Sequence, residues 1–111
     1  MLASDLEFLH HILDETNFVL DTVDGKGKDE VMNDSILFRA VVRSIEIIGE
    51  ATKKLSDDFK TAHSEIEWKK MARTRDILIH VYFAIDNDII WNIIDEKLLP
   101  LQLFVTKLII P

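Results

Sequence analysis

Apolar residues recur at helical spacing along most of this chain, and that periodicity limits the fold more than any other feature of the sequence. The first segment shows it at Leu6, Leu9, Leu13 and Leu20. Valine and threonine rarely alternate with polar residues, and no pattern of strand, turn and strand occurs. The sequence therefore predicts an all-α protein, an antiparallel bundle of about four to five helices.

The first helix and the segment after it have recognisable ends. Ser4 followed by Glu7 has the pattern of a capping box, so helix 1 is expected to begin at Ser4 and to run to about Asp21. Residues 24–29 contain two glycines among charged residues, which predicts a loop.

A second helix is expected to begin at an Asn33 or Asp34 cap and to end near Leu55, a length that suits an antiparallel partner for helix 1. Residues 56–66 are predicted to form a short helical turn and a loop. The buried side of the second helix is predicted from its apolar residues: Ile36, Leu37, Ala40, Val41, Ile45 and Ile48.

Two helical segments are predicted in the second half of the chain. One is expected to begin within residues 65–68 and to continue to Tyr82. Asp86 and Asn87 are suitable caps for the next. Pro100 is expected to stop or restart that helix, because proline lacks an N–H and its ring clashes with the preceding turn.

Length and composition limit the number of domains and the location of the protein. Its 111 residues suffice for one domain, 1–111, with a single core. Cysteine is absent, so disulfides and thiol chemistry are excluded, and a cytoplasmic location is expected. The longest apolar run is too short to span a bilayer and the N-terminus lacks the regions of a secretion signal, so no membrane association is expected.

The charge of the chain limits its partners. A formal net charge of −7 argues against a protein that coats nucleic acid, because phosphate binding depends on clustered Lys and Arg, and no DNA partner is expected. A local basic site is compatible with this charge. Lys69, Lys70 and Arg73 closely precede Arg75 and could bind RNA, or could be solvated charges on a helix face.

Charged residues of the first two helices also allow two interpretations. Arg39 and Arg43, one turn apart, could extend a positive cleft or pair with acids of helix 1. Glu50 could pair with Arg43 or with the later helix, a structural role favoured over catalysis. His10 and His11 are adjacent and so point in different directions, which argues against a metal site.

The segment 75–82 places Arg75, His80 and Tyr82 in an otherwise apolar helical stretch. Burying an unpaired polar group costs on the order of 2–7 kcal/mol, so three such residues rarely occur there without partners or a function. We therefore take this segment as the candidate site of the chemistry.

The R-x4-H-x-Y spacing of Arg75, His80 and Tyr82 resembles the motif of the HEPN superfamily, specifically its HepT-like ribonuclease toxins. The chain departs from the family at Asp76, where Asn is frequent, and at Glu67, where Pro is frequent. The resemblance implies a HEPN-like helical bundle. It covers nearly the whole chain, through segments in the family's order and spacing: 39–51, 63–68, 83–86 and 90–91.

The spacing of the motif raises a geometric question. On a straight helix His80 lies about 140° around the axis from Arg75, so the side chains meet only if the helix bends or two copies face each other. The resemblance implies the second arrangement, a composite cleft across a two-fold interface. Asp76 lies one turn before His80, where its carboxylate could fix the imidazole tautomer.

Such a cleft could cleave RNA by attack of the 2′-hydroxyl on the adjacent phosphate. His80 would be the general acid and base, since the unperturbed imidazole pKa is about 6.5. Arg75 would bind the phosphate and stabilise the transition state. This chemistry requires no metal and no cofactor.

Tyr82 also has two interpretations. Its ring could pack in the bundle, or it could act at the mouth of the site. The resemblance implies that this tyrosine accepts AMP from a minimal nucleotidyltransferase antitoxin. Tyr82 is predicted to share a helical face with Arg75, about 10 Å along the axis, so the modification would fill and neutralise the phosphate site.

Three functions therefore compete. The leading one is a metal-independent endoribonuclease toxin neutralised by AMP transfer. The alternative is a non-catalytic nucleotide-binding or scaffold subunit that partners a nucleotidyltransferase, and the third is a dimeric scaffold with structural ion pairs only; the acidic charge favours both. The apolar segment 98–110 predicts a homodimer or larger oligomer, because one thin bundle cannot bury it.

Overall fold

The computed structural model describes residues 1–80 and 86–109, and for residues 77–80 it describes the backbone alone. Within these ranges there is no strand, so the all-α prediction is confirmed. None of the described helices is long and apolar enough to cross a membrane. The helices are α1 Ala3–Val23, α2 Lys28–Asn33, α3 Ser35–Lys54, α4 Asp57–Ala62, α5 Trp68–His80, α6 Asn87–Asn92 and α7 Leu98–Ile109, with a π-helical turn at Ile93–Lys97.

Helix α3 is central: it packs against α1 on one side and α5 on the other, and α7 packs against α1. The core follows the helical repeat, with fully or nearly fully buried side chains from α1, α3 and α7. These include Leu9, Ile12 and Val19 of α1, Val41, Ile45 and Ile48 of α3, and Leu98, Leu101 and Val105 of α7.

The start of α1 differs from the predicted capping box. The N-cap is Leu2, without a side-chain hydrogen bond, and Ser4 lies inside the helix. The physical reason is Asp5, whose buried carboxylate accepts hydrogen bonds from the backbone N–H of Ser56 at 2.8 Å and from its hydroxyl at 2.7 Å. Because Ser56 follows the end of α3, this contact also makes α1 and α3 antiparallel.

The loop predicted at 24–29 is shorter than expected. The chain turns at Gly25, which has φ 75°, and α2 begins at Lys28. The buried side chain of Val31 holds this short helix against the core. Asp34, one of the two predicted caps, accepts hydrogen bonds from the first turn of α3.

Two residues of the predicted buried side of α3 are not buried, since Ile36 is exposed and Ala40 is only partly buried. Ile36 is 82% exposed, because it lies in the first turn of the helix and Leu37 takes the buried position there. The prediction that this helix ends near Leu55 is confirmed, since its last residue is Lys54.

Pro100 neither stops nor begins the last helix, and lies inside α7. A proline ring crowds the carbonyl one turn earlier, which here belongs to Glu96. That carbonyl lies in the π-helical turn, where the N–H of Leu98 bonds to the carbonyl of Ile93 five residues back. We infer that the wider turn accommodates the proline and lets the helix continue.

Candidate active site

Helix α5 carries the motif and is held at its start by Trp68. This side chain is 5% exposed, and its indole N–H donates a hydrogen bond to the carbonyl of His63 at 2.9 Å. Its ring packs against Phe59 and Phe104. The beginning of α5 is therefore fixed against both α4 and α7.

Gly49 brings α5 and α3 into close contact at Arg75. A Cβ atom at position 49 would lie 2.5 Å from the Cβ of Arg75 and 3.0 Å from the carbonyl oxygen of Met71. No side chain larger than hydrogen fits without a shift of the helices. Gly49 thus sets the position of the motif arginine, which the sequence reasoning missed although a glycine inside a helix is unfavourable unless packing requires it.

The Arg75 side chain is mostly covered, with 27% of it exposed. One terminal N–H group lies 3.3 Å from a carboxylate oxygen of Asp76. Its Nε is buried and has no hydrogen-bond acceptor within the part of the chain that the structure describes. An unsatisfied buried N–H costs about 1–3 kcal/mol, so the fold holds Arg75 here at a cost in stability. The exposed 27% of the side chain is the part that an acceptor such as a phosphate oxygen could reach.

Asp76 lies between two cations. The Nζ of Lys53, on α3, is 3.1 Å from the same Asp76 oxygen that faces Arg75. The hydrogen bond from Lys53, and then the contact with Arg75, lower the pKa of the Asp76 carboxyl. Asp76 is therefore an anion at neutral pH. Sequence reasoning missed Lys53, although it stands one turn after Gly49 on the helix that contacts α5.

His80 is the last residue of α5 that the structure describes, so it lies on the same helix as Arg75 and Asp76, as predicted. The direction of its side chain lies outside the described structure, and the contact predicted between Asp76 and His80 stays a prediction. Tyr82 lies outside the described residues altogether, so its predicted roles also stay predictions.

The basic residues that precede Arg75 do not lie on its side of the helix. Lys69 and Arg73 are exposed, and at 100° per residue both point more than about 100° away from the Arg75 face that meets α3. Lys70 is 2.6 Å from Glu67, which also lies 3.8 Å from Lys97. The structure thus brings Lys53, rather than these three residues, to Asp76 beside Arg75.

Arg39 and Arg43 are exposed on α3, about 15 and 9 Å before Gly49 along the axis. Arg43 lies 3.3 Å from Glu46 and Glu50 lies 3.4 Å from Lys54, so Arg43, one of the two alternatives given for the partner of Glu50, does not pair with it. Burial, and then the neighbouring Asp14, raise the pKa of Glu15 on α1, and Arg43 lowers it by a smaller amount.

A cleft of about 490 Å³ lies on the other side of this helix pair, between α3, α5 and the α6–α7 segment. Its wall is mostly aliphatic, and four acids and two lysines also line it. Such a surface does not suit a polyanion, because phosphate binding needs a concentration of positive charge. We therefore place the candidate phosphate site at Arg75 and not in the cleft.

Comparisons with known proteins agree with the motif and the helical fold. The family described as Ribonuclease HepT-like matches residues 12–108. The chain is 43% identical over 95 residues to “Putative RNase TTE0752” of Caldanaerobacter subterraneus subsp. tengcongensis, covering 86% of this chain and 85% of that protein. It is 43% identical over 90 residues to “Putative RNase MJ0127” of Methanocaldococcus jannaschii, covering 81% and 74% of the two chains.

A third relative, “Probable ribonuclease HepT” of Thermococcus cleftensis, is 51% identical over 59 residues, covering 53% of this chain and 54% of that protein. No solved structure matches the chain. The match of the family over nearly the whole sequence, together with the helix that carries Arg75 and His80, leads to one conclusion: the chain belongs to the Ribonuclease HepT-like family.

Proposed function

We propose that this protein is a metal-independent endoribonuclease whose reaction centres on Arg75 and His80. The observation that carries the proposal is the state of Arg75. Its stem is fixed against Gly49, and its buried Nε has no acceptor among the described residues. A guanidinium held in this way is prepared to bind an oxyanion, because its planar fork matches phosphate oxygens and loses little freedom on binding.

The reaction follows from the chemistry of these two groups. His80 accepts the proton of a ribose 2′-hydroxyl, whose oxygen attacks the adjacent phosphorus atom. Arg75 stabilises the charge that develops on the phosphorane oxygens. The bond from phosphorus to the 5′-oxygen breaks, and that oxygen takes a proton from the imidazolium. The products are a 2′,3′-cyclic phosphate and a 5′-hydroxyl end.

We further propose that two copies build each active site. Positions 75 and 80 lie about 140° apart on a regular helix, and Arg75 faces α3, so a second copy would supply the other residue. Exposed apolar side chains support an oligomer, among them Leu99 and Leu103 of α7, which are 52% and 57% exposed. A C2 pair would use the same face of both copies.

The partner that we propose is a minimal nucleotidyltransferase that transfers AMP to Tyr82. The HepT-like family supports this, and so does the short sequence distance from Arg75 to Tyr82. A phosphodiester on Tyr82 would bring negative charge to the arginine that must bind RNA. The enzyme would then act as the toxin of a toxin–antitoxin pair in the cytoplasm.

The experiment is an RNA cleavage assay with purified protein in EDTA. Arg75→Ala and His80→Ala should each lower the cleavage rate at least about a hundredfold, because each removes a group that acts in the transition state. Lys26→Ala, which removes a charge from the loop before α2, is the control and should stay close to wild type. A requirement for added Mg²⁺, or full activity of His80→Ala, contradicts the mechanism.

A second function is favoured by the acidic charge. With a net charge of −7 the chain could instead be a non-catalytic subunit that binds nucleotide or helps a nucleotidyltransferase hold its substrate. In that case the purified protein would leave RNA intact at micromolar concentration, while Arg75→Ala would weaken ATP binding measured by calorimetry. If the wild-type protein cleaves RNA and Arg75→Ala abolishes that cleavage, the result favours the ribonuclease function over the non-catalytic one.

A further inference from the structure

Lys53 contributes a second cation to the Arg75 site from a different helix. Its ammonium group lies 3.1 Å from the Asp76 oxygen that is itself 3.3 Å from Arg75. It stands four residues after Gly49, so the close contact between α3 and α5 determines its distance from Asp76. One carboxylate is thus shared by two cations, and the group as a whole carries one positive charge.

The sharing of Asp76 decides how much positive charge Arg75 can offer to a phosphate. A carboxylate with a single cationic partner forms a closed ion pair, and the net charge of that pair is zero. A lysine bound to the same carboxylate oxygen takes part of this attraction and restores the excess positive charge. It also limits the directions in which the carboxylate can turn toward the guanidinium.

We propose that Lys53 is a positioning residue of the phosphate site, which holds Asp76 and so keeps Arg75 available to RNA. The inference rests on the proposed function, since it concerns the same reaction. In the proposed reaction Lys53 touches neither the substrate nor the reacting atoms, and acts only through Asp76. Both side chains are about half exposed, and exposed ion pairs add little to stability, so the role is in the site and not in the fold.

The chain offers a matched control one residue away. Lys54 has the same charge and a similar exposure, but its partner is Glu50 on its own helix, at 3.4 Å. Lys53→Met should lower kcat/KM roughly tenfold, within the range of coupling expected between contacting residues. Lys54→Met should change it less than about twofold. Lys53→Arg, which keeps the cation, should recover most of the activity.

A double-mutant cycle separates positioning from direct RNA binding. If Lys53 acts through Asp76, then Lys53→Met should have no further effect in the Asp76→Asn background. If Lys53 contacts RNA itself, Lys53→Met should lower kcat/KM by the same factor in the wild-type and in the Asp76→Asn background. This result would overturn the proposal.

A readout without RNA keeps this test distinct from the test of the ribonuclease function. Carbon-13 NMR of the Asp76 carboxyl gives its pKa directly in wild type and variants. Because Lys53 is the leading cause of the lowered pKa, Lys53→Met should raise it, whereas Lys54→Met should leave it unchanged. An unchanged Asp76 titration in Lys53→Met refutes the inference, whether or not the protein cleaves RNA.

Discussion

At the scale of single residues, the contact between Gly49 and Arg75 connects the fold to the chemistry. Gly49, inside α3, has a low helix propensity. Because it lacks a side chain, the backbone of α5 can lie directly against it. Arg75 is therefore placed by two helices. A flexible surface arginine would lose more conformational freedom when it bound a phosphate.

Gly49→Ala is expected to lower both stability and cleavage. Helix propensity alone would favour Ala by about 0.5–1 kcal/mol, but a Cβ 2.5 Å from the Cβ of Arg75 must push α5 away, at a cost of roughly 1–3 kcal/mol. Urea unfolding measures the balance. Gly27→Ala is the control, since nothing lies within 4 Å of its Cβ position. A Gly49→Ala protein more stable than wild type would show that the close contact is wrong.

Tyr82→Phe is expected to separate activity from regulation. The substitution keeps the ring and removes only the hydroxyl, so the variant should fold and should still cleave RNA. It should escape inhibition by a co-expressed nucleotidyltransferase, because no AMP acceptor remains. Intact-mass spectrometry should show added AMP on wild type alone. Equal silencing of both proteins by the partner would mean that inhibition works by occlusion.

At the scale of helices, periodicity predicted the long elements and local signals predicted some of their ends. The Asp34 cap was predicted because its side chain bonds to the backbone two and three residues later, and such a local contact can be inferred from the sequence pattern. The start of α1 was missed because the partner of Asp5 is Ser56, 51 residues away. Helix α2 was missed because burial of Val31, which no local pattern shows, holds it in place.

The same difference, between contacts local in the sequence and contacts between distant segments, explains which residues of the candidate site were predicted. The motif on α5 was visible because its residues follow one another along a single helix. Lys53 belongs to α3, and only the packing at Gly49 brings it to Asp76. Helical spacing alone also could not show that Lys69 and Arg73 lie on the exposed side of α5, since that depends on which face meets α3.

Asp5→Ala is expected to destabilise the junction of α1, α3 and α4. The carboxylate accepts two hydrogen bonds from Ser56, whose hydroxyl in turn caps α4, and its loss leaves the N–H of Ser56 without its partner. The free energy of unfolding should fall by roughly 1–3 kcal/mol. Asp14→Ala, at an exposed position of α1, should change it by less than about 0.5 kcal/mol. Equal effects of the two variants would contradict the structural role of Asp5.

At the scale of the whole molecule, two features bear on RNA binding and on assembly: the acidic net charge and the exposed apolar surface. The chain is acidic overall, yet the group of Arg75, Asp76 and Lys53 carries one net positive charge where two helices meet. Such a protein would bind RNA at one point and not along its length. Exposed leucines on α7 supply apolar surface that a second copy could cover.

Mixing two inactive variants tests the shared active site most directly. In a heterodimer of Arg75→Ala with His80→Ala, one composite site lacks both residues and the other keeps both. Co-refolding the two proteins should therefore restore cleavage, up to about half the wild-type rate per heterodimer, with light scattering showing a dimer or larger oligomer. If the mixture stays as inactive as its components although heterodimers form, or if the protein is a monomer that cleaves RNA, Arg75 and His80 do not act across two copies.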